Sequence, residues 1–228
     1  MRNFRIPSLL LLASFILVAC QKEIDETTTE GGGGPGGNPV TGTSYNPLST
    51  GSWWKWKDTA SGATTTSTVI NKNKTANNIV YTALLSDNGS RTDTAWAASP
   101  RPNYYLAAQG VSPNTGAPYD LVFHFLNDTA SVGYSWQYNA GQGNGFTSLI
   151  KTTIIAKGLS MTVEGKNYTD VIHTKLDLSY DIFGMVMQFA TYDYFTARGV
   201  GIIKVRTDIN AFGTSMQTCM NLVDHKIM

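Results

Sequence analysis

The chain has 228 residues, 42% of them hydrophobic, and 17 basic against 16 acidic side chains give a net charge of +1. This balance argues against a nucleic-acid partner, because such domains usually carry a basic surface. Basic residues occur singly or in short pairs such as Lys72/Lys74, so no polybasic membrane patch is predicted either.

The first twenty residues have the order of a secretory signal. Arg2 and Arg5 precede an apolar run, residues 9–18, that is shorter than the roughly 20 residues needed to span a bilayer. The run ends in Leu17-Val18-Ala19-Cys20, which resembles the lipobox of bacterial lipoproteins. The resemblance implies a signal peptide over residues 1–19 and lipid attachment at Cys20, including palmitate-type acylation. An ordinary cleaved signal with an incidental cysteine is the alternative.

Residues 20–44 are predicted to be a lipid-anchored, flexible tether. The charged stretch 21–26 resembles the signal that follows the lipidated cysteine in surface-exposed lipoproteins of Bacteroidota, which implies an outer-membrane, cell-surface location. Residues 31–39 are mostly glycine and behave as a flexible coil. A phosphate-binding loop is rejected, because no strand precedes them and no Gly-Lys-Ser/Thr follows.

Residues 45–228 are predicted to form one all-β domain. Thr, Val, Ile and aromatic residues alternate in short runs between turn residues, and Glu164 is the only glutamate of this stretch. With Cys20 acylated, Cys219 has no partner for a disulfide and is expected to be a small buried or half-buried side chain. The predicted strands are 52–57, 64–71, 79–85, 92–97, 104–108, 119–126, 133–138, 148–157, 159–163, 168–179, 186–197, 200–207 and 216–223.

So many short antiparallel strands predict a strongly curved sheet, a half-barrel or a barrel, with a β-sandwich as the alternative. Residues 163–168 have the pattern of a tight hairpin turn. Beyond it, Ile172, Thr174, Leu176 and Leu178 are expected on one face of a strand. The last strand, 216–223, is expected at the edge of the sheet.

Three stretches resemble an uncharacterised all-β family of Bacteroidota lipoproteins. They are the opening Tyr-x-Pro-Leu of residues 45–48 with Gly51, Trp54 and Trp56, the hairpin arm 168–172, and the aromatic–Gly-Val-Gly-Ile-Lys signature of residues 194–204. The resemblance implies a secreted curved sheet or half-barrel and gives no activity.

Two groups of aromatic residues are candidates for ligand binding. In the first strand, alternation predicts Trp54 and Trp56 in the core and Trp53 on the other face. Tyr134, Trp136 and Tyr138 form a second stripe of period two, beside the glycine-rich residues 139–145. An aromatic stripe beside a loop suits a ligand platform, and a core stripe beside an ordinary hairpin loop is the alternative.

No catalytic or metal-binding motif is found. The three histidines, His124, His173 and His225, have no metal-ligand spacing, and no Gly-x-Ser-x-Gly elbow occurs. We therefore predict no metal, no cofactor and no enzymatic activity, although aspartates could still supply the two carboxylates of a glycoside hydrolase.

The tripeptide Asp-Thr-Ala occurs three times, with Thr59, Thr94 and Thr129 at its centre. It resembles the O-glycosylation acceptor motif of exported Bacteroidota proteins. The resemblance implies that these threonines are exposed, since a glycan requires solvent.

The sequence thus predicts an envelope lipoprotein whose non-enzymatic β domain binds a glycan or another envelope component. The alternatives are a lipid or lipoprotein carrier with an apolar half-barrel cavity, and an aspartate-dependent glycoside hydrolase.

Overall fold

A computed structural model describes residues 44–111, 118–143, 145–211 and 214–228. Cys20, the predicted signal peptide and all of the predicted tether except Ser44 lie outside the described residues. The strands are β1 (Trp53–Asp58), β2 (Thr64–Ala76), β3 (Ile79–Asp87), β4 (Thr92–Ala98), β5 (Asn103–Val111), β6 (Pro118–Asn127), β7 (Ser135–Gly143), β8 (Phe146–Val163), β9 (Lys166–Ile182), β10 (Met185–Ala197), β11 (Gly201–Ala211) and β12 (Thr214–Lys226).

The strands form one closed antiparallel barrel in which each pairs with its neighbours in the chain and β1 pairs with β12. The all-β prediction is therefore confirmed as a barrel, and the sandwich alternative is excluded. The expected edge position of the last strand is wrong, because β12 is hydrogen-bonded to both β11 and β1. Closure removes the edges that an open sheet would expose to other chains.

Alternation along β9 shows how the sequence builds the interior. Ile172, Thr174, Leu176 and Leu178 are fully buried on one face, as predicted, and Tyr180 continues the row. Successive strand residues point to opposite faces, so this row faces the barrel interior and the residues between it face outward. Directly paired residues of neighbouring strands share a face, which extends the assignment around the barrel.

Aromatic rings from opposite walls meet inside the barrel. Phe123 of β6 lies 5.7 Å from Tyr192 of β10, and Phe125 lies 5.7 Å from Tyr194, measured between ring centroids. The barrel is therefore flattened at this level, and side chains fill the space between its walls.

The two strands predicted at 148–157 and 159–163 are one long strand, β8. Gly158, which separates them in the sequence, adopts a positive φ of 69° and lies where the register with β9 shifts. The glycine therefore marks a β-bulge rather than a strand end.

The β8–β9 hairpin reaches beyond the barrel and contacts its outer wall. Its turn is Glu164-Gly165, both with positive φ, as the sequence predicted for a tight hairpin. Glu164 accepts a hydrogen bond of 2.9 Å from Asn221, and Lys166 forms an ion pair of 2.8 Å with Asp224. The hairpin is thus fastened against β12.

The chain enters the barrel through Tyr45, which is almost completely buried. Its hydroxyl donates a hydrogen bond of 2.7 Å to Asp170 and accepts one of 3.0 Å from Arg198, which also bonds Asp170. Ser44 accepts a backbone hydrogen bond from Gly199 in the β10–β11 turn. The described chain therefore begins at the end of the barrel that carries this turn, which we call the entry end.

Candidate functional site

The barrel wall is weakest on both sides of the β5–β6 hairpin. Only residues 96–98 of β4 pair with β5, and only residues 119–121 of β6 pair with β7. Strands β6 and β7 separate beyond Leu121 and Gly141, towards the entry end. We call this separation the β6–β7 seam.

Side chains replace the missing backbone hydrogen bonds in the seam. The backbone N–H of His124 donates to the Tyr138 hydroxyl at 2.6 Å, and the His124 carbonyl accepts from the Thr152 hydroxyl at 3.1 Å. Buried backbone groups rarely remain unpaired, because the lost hydrogen bonds to water are costly. Tyr138 and Thr152 thus close the wall where the ladder stops.

A row of aromatic rings crosses the wall at this seam. The Tyr105 ring stacks on His124 at 4.5 Å, His124 lies 4.9 Å from Trp136, and Trp136 stacks on Tyr134 at 6.0 Å. Tyr105 pairs with His124 in the sheet, whereas the adjacent pair, Leu106 and Phe123, belongs to the interior. Tyr105 and His124 therefore face outward. We call these four residues, from Tyr105 to Tyr134, the aromatic row.

Solvent reaches every member of the aromatic row. Tyr134 is 53% exposed, and Tyr105, His124 and Trp136 are partly exposed. The indole Nε1 of Trp136 is buried and makes no hydrogen bond to the described protein atoms. The row thus offers accessible apolar area, whereas the Trp136 donor lies beneath the surface.

His124 is the one titratable side chain of the row with a strongly lowered pKa. Burial lowers its pKa to about 4, opposed by a backbone hydrogen bond at Leu126. Its Nε2 lies 3.0 Å from the amide oxygen of Asn103, which also accepts a hydrogen bond from Asn127. At neutral pH the imidazole is therefore an uncharged ring, held by amides.

Lys74 and Trp96 add a positive charge and a further ring beside the Tyr105 end of the aromatic row. Trp96 belongs to the same outer cluster as Tyr105, and Lys74 lies over its ring at 4.7 Å. Lys74 also donates a hydrogen bond of 2.7 Å to Gln109. The outer wall from β4 to β6 thus carries aromatic, amide and ammonium groups. Trp136, which pairs with the buried Thr152, meets this wall from the inner face of β7 where the two strands separate.

The structure brings three of the predicted binding residues together and separates the fourth. Tyr134, Trp136 and Tyr138 lie along β7 at the seam, and Tyr138 is engaged by the His124 backbone. Trp53, which is partly exposed, lies on β1, six strands away in either direction around the barrel. One ligand of small size therefore cannot contact Trp53 and Trp136 together.

The contribution of Tyr105 and His124 was missed at the sequence level. Alternation in β5 and β6 places both residues on the other face of the sheet from the interior residues Leu106 and Phe123. This alternation is the sequence signal that could have identified them as surface residues. Their contact with Trp136 depends on the seam, which no local pattern predicts.

The three candidate glycosylation residues, Thr59, Thr94 and Thr129, are all exposed. Their preceding aspartates have structural contacts of their own. Asp58 accepts hydrogen bonds from the backbone of Ala60 and Ser61, and Asp128 forms an ion pair with Arg101. The repeated motif thus has a structural role besides any modification.

Among the described ranges, no group of three or more His, Cys, Asp or Glu side chains is placed to hold a metal ion. The same residues contain no helix with the length and apolar character needed to cross a membrane. Cys219 is buried, as expected from the sequence.

Comparison with known proteins gives two structural likenesses. One is a candidate lipoprotein from Parabacteroides distasonis, with 12% identity and a TM-score of 0.48, and the other is a candidate exported protein with a YmcC-like fold from Bacteroides fragilis NCTC 9343, with 9% identity and a TM-score of 0.48. Each match covers 81% of this chain and 99% of the other. No family model and no curated protein matches the chain.

Proposed function

We propose that the chain is an envelope lipoprotein, anchored in the outer membrane through Cys20 and exposed at the cell surface, whose barrel binds a glycan through the aromatic row. The anchor is supported by the lipobox and by the flexible tether that follows it. The same exported location supports O-glycosylation at the three exposed threonines.

The observation that carries the binding function is the run of accessible rings from Tyr105 to Tyr134. Tyr134 is exposed and the other three rings are partly exposed, and a contiguous apolar surface marks a binding site more often than scattered apolar residues do. Aromatic rings offer flat apolar faces to the C–H groups of a sugar. The amides of Asn103 and Asn127 and the ammonium of Lys74 supply polar groups at the border of the row.

The proposal requires no reaction. Glycan binding needs no catalytic acid or base. The one imidazole of the row, His124, is neutral above about pH 4. The outer Asp–His pair of the barrel, Asp193 and His173 at 2.6 Å, lies on β10 and β9, away from the seam.

A glycan array probed with residues 20–228 carrying Cys20→Ser tests the proposal, because this chain keeps the whole barrel. We expect binding to at least one envelope polysaccharide, weakened about tenfold by Tyr134→Ala, equivalent to about 1.4 kcal/mol. Tyr134 is already half exposed, so its truncation leaves the fold intact.

Phe183→Ala is the matched control, because Phe183 is 93% exposed and lies at the β9–β10 turn. This variant and Trp53→Ala should bind as the parent chain does. Equal binding by Tyr134→Ala and Phe183→Ala, or no binding by the parent, would exclude the aromatic row as a glycan site.

A further inference from the structure

The turn between β9 and β10 carries a group of exposed apolar side chains. Of the ten large apolar side chains that are exposed in the described residues, four lie within five consecutive positions, namely Phe183, Met185, Val186 and Met187. Phe183 is 93% exposed, and its ring meets that of the partly exposed Phe146 edge to face, with 6.1 Å between the centroids. We call these five residues the apolar tip.

The apolar tip stands clear of the barrel wall. Residues 185–188 of β10 pair with β9 alone, because the described pairing of β10 with β11 extends only as far as Ala190. The base of the tip is continuous with the barrel core, since Phe146 and Ile182 pack against that core. The tip is therefore a convex projection on a supported base, and it is not a groove.

The conformation of the turn is unfavourable for the residue at its apex. Phe183 and Gly184 link the paired residues Ile182 and Met185, and both have a positive φ, of 53° and 85°. Two-residue turns of this kind usually contain Asn-Gly or Asp-Gly, because a bulky side chain is strained at positive φ. Backbone strain of this kind is concentrated at functional positions, which singles out the exposed ring of Phe183.

The charge around the apex is low, and none of it is positive. Asp181 is the one charged residue in the stretch 181–188, and its carboxylate accepts a hydrogen bond of 2.7 Å from the backbone N–H of Gly184. Surfaces that bind anionic headgroups carry clustered lysine and arginine. The tip lacks such a cluster, so its composition favours electroneutral headgroups.

A lipid surface fits the apolar tip better than a protein partner does. A stable protein interface takes about 20–30 residues on each side, whereas the tip presents five side chains on one projection. Insertion at the level of the headgroups buries apolar side chains without a preformed pocket, and its strength follows the apolar area that is buried. The edge of residues 185–188 that faces away from β9 limits the depth, because backbone groups without partners are costly in hydrocarbon.

We propose that the apolar tip inserts into the interface of an electroneutral lipid surface, with Phe183 deepest and the other exposed members beside it. The tip lies at the opposite end of the barrel from the entry end, because β9 runs from Asp170 to this turn. The 24 residues from 20 to 43 can extend to about 80 Å, whereas the 17 residues of β9 span at most about 56 Å. Attachment at Cys20 is therefore compatible with insertion of the tip into the same membrane, although the inference does not depend on that anchor.

Insertion is measured by sedimentation with sucrose-loaded vesicles of phosphatidylcholine and phosphatidylethanolamine, using residues 20–228 with Cys20→Ser so that no anchor contributes. We expect the parent chain to sediment with these vesicles at low and at high salt. Phe183→Asn should lower the partition coefficient about tenfold or more, because the burial of one aromatic side chain is lost.

Val132→Asn is the matched control and should sediment as the parent chain does. Val132 is 58% exposed and precedes a glycine of positive φ, Gly133, in the β6–β7 connection at the entry end. The two variants thus replace an exposed apolar turn residue by the same side chain at opposite ends of the barrel.

Two further measurements separate insertion from a loss of structure. Asparagine tolerates positive φ, so Phe183→Asn should not lower the midpoint of urea unfolding. Phe183→Trp should retain vesicle binding, because tryptophan is well suited to the membrane interface.

No sedimentation of the parent chain, or equal sedimentation of Phe183→Asn and Val132→Asn, would overturn the proposal. A requirement for anionic lipid would refute the electroneutral class of surface. A dimer that Phe183→Asn dissociates would assign the tip to a second copy of the chain instead. Phe183→Asn should leave glycan binding at the aromatic row unchanged, so the two proposals succeed or fail separately.

Discussion

His124 joins the wall of the barrel to its outer surface. Its backbone N–H donates a hydrogen bond to Tyr138 of β7, and its carbonyl accepts one from Thr152 of β8. Its ring stacks on Tyr105 and lies 4.9 Å from the ring of Trp136. Partial burial in this position disfavours the imidazolium form, which explains the lowered pKa. A residue that the sequence offers only as an isolated histidine is therefore a structural centre of the seam.

The lowered pKa of His124 makes stability depend on pH. The unfolded chain binds a proton near pH 6.5, whereas the folded chain binds it only near pH 4. Stability therefore falls as pH decreases from about 6.5 to about 4, by up to about 3 kcal/mol from this group. Urea titrations at pH 7.5 and pH 4.5 should show this loss, and His124→Gln should reduce it.

His225 contributes in the same direction, since burial lowers its pKa as well. The double variant His124→Gln with His225→Gln should therefore show a smaller pH dependence than either single variant. An undiminished loss of stability in His124→Gln would show that the seam does not oppose protonation.

At the scale of elements, the β6–β7 contact is decided by one glycine. Gly141 has a φ of 113°, and a Cβ at this position would lie 2.0 Å from the backbone carbonyl oxygen of Asp120. The close approach occurs at the last paired residues before the two strands separate. A side chain here would push β6 and β7 apart where only three residue pairs hold them.

Gly141→Ala should therefore lower the free energy of unfolding by more than the backbone strain of a positive φ alone would. Gly145→Ala is the matched control, because its φ of 82° is also positive but its Cβ would meet nothing within 4 Å. We expect Gly145→Ala to cost about 1–2 kcal/mol and Gly141→Ala at least about 2 kcal/mol more. Chemical denaturation measures both, and similar costs would contradict a tight contact at Asp120.

At the scale of the whole molecule, the barrel has two different ends. The described chain begins at Ser44 and Tyr45 beside the β10–β11 turn, where Asp170 and Arg198 bond the Tyr45 hydroxyl. Strand β11 runs from this entry end to the β11–β12 turn, near which Met216 lies. The described chain therefore begins at one end of the barrel, and the paired residues Ala211 and Thr214 lie at the other end.

The anchor itself is tested on the full chain in its native membrane. We expect intact-mass analysis to find a chain that begins at acylated Cys20, and Cys20→Ser to release the protein from the membrane fraction, since several acyl chains bind a bilayer stably. The same spectra report hexose additions, which Thr59→Ala, Thr94→Ala and Thr129→Ala together should remove. Residue 1 still attached, or an unmodified thiol at Cys20, would contradict the lipoprotein assignment.

Local patterns were sufficient for most strands and for the hairpin turn, although they divided β8 at Gly158. The alternation from Ile172 to Leu178 and the turn at Glu164-Gly165 follow from side-chain periodicity and from the positive φ that glycine permits. The outward position of Trp53 follows from the same periodicity, whereas Cys219 is buried although it alternates with the interior residue Thr218. These features depend on a few neighbouring residues, so the sequence by itself determines them.

Closure and the candidate sites depend on contacts between distant parts of the chain. Whether β12 is an edge strand is decided by its pairing with β1, about 170 residues away in the chain, and the sequence has no local signal for it. The aromatic row requires Tyr105, His124 and Trp136 from three strands. The sequence determined which residues alternate, whereas the tertiary structure decided which faces meet, because barrel closure and strand register are set by packing of the whole chain.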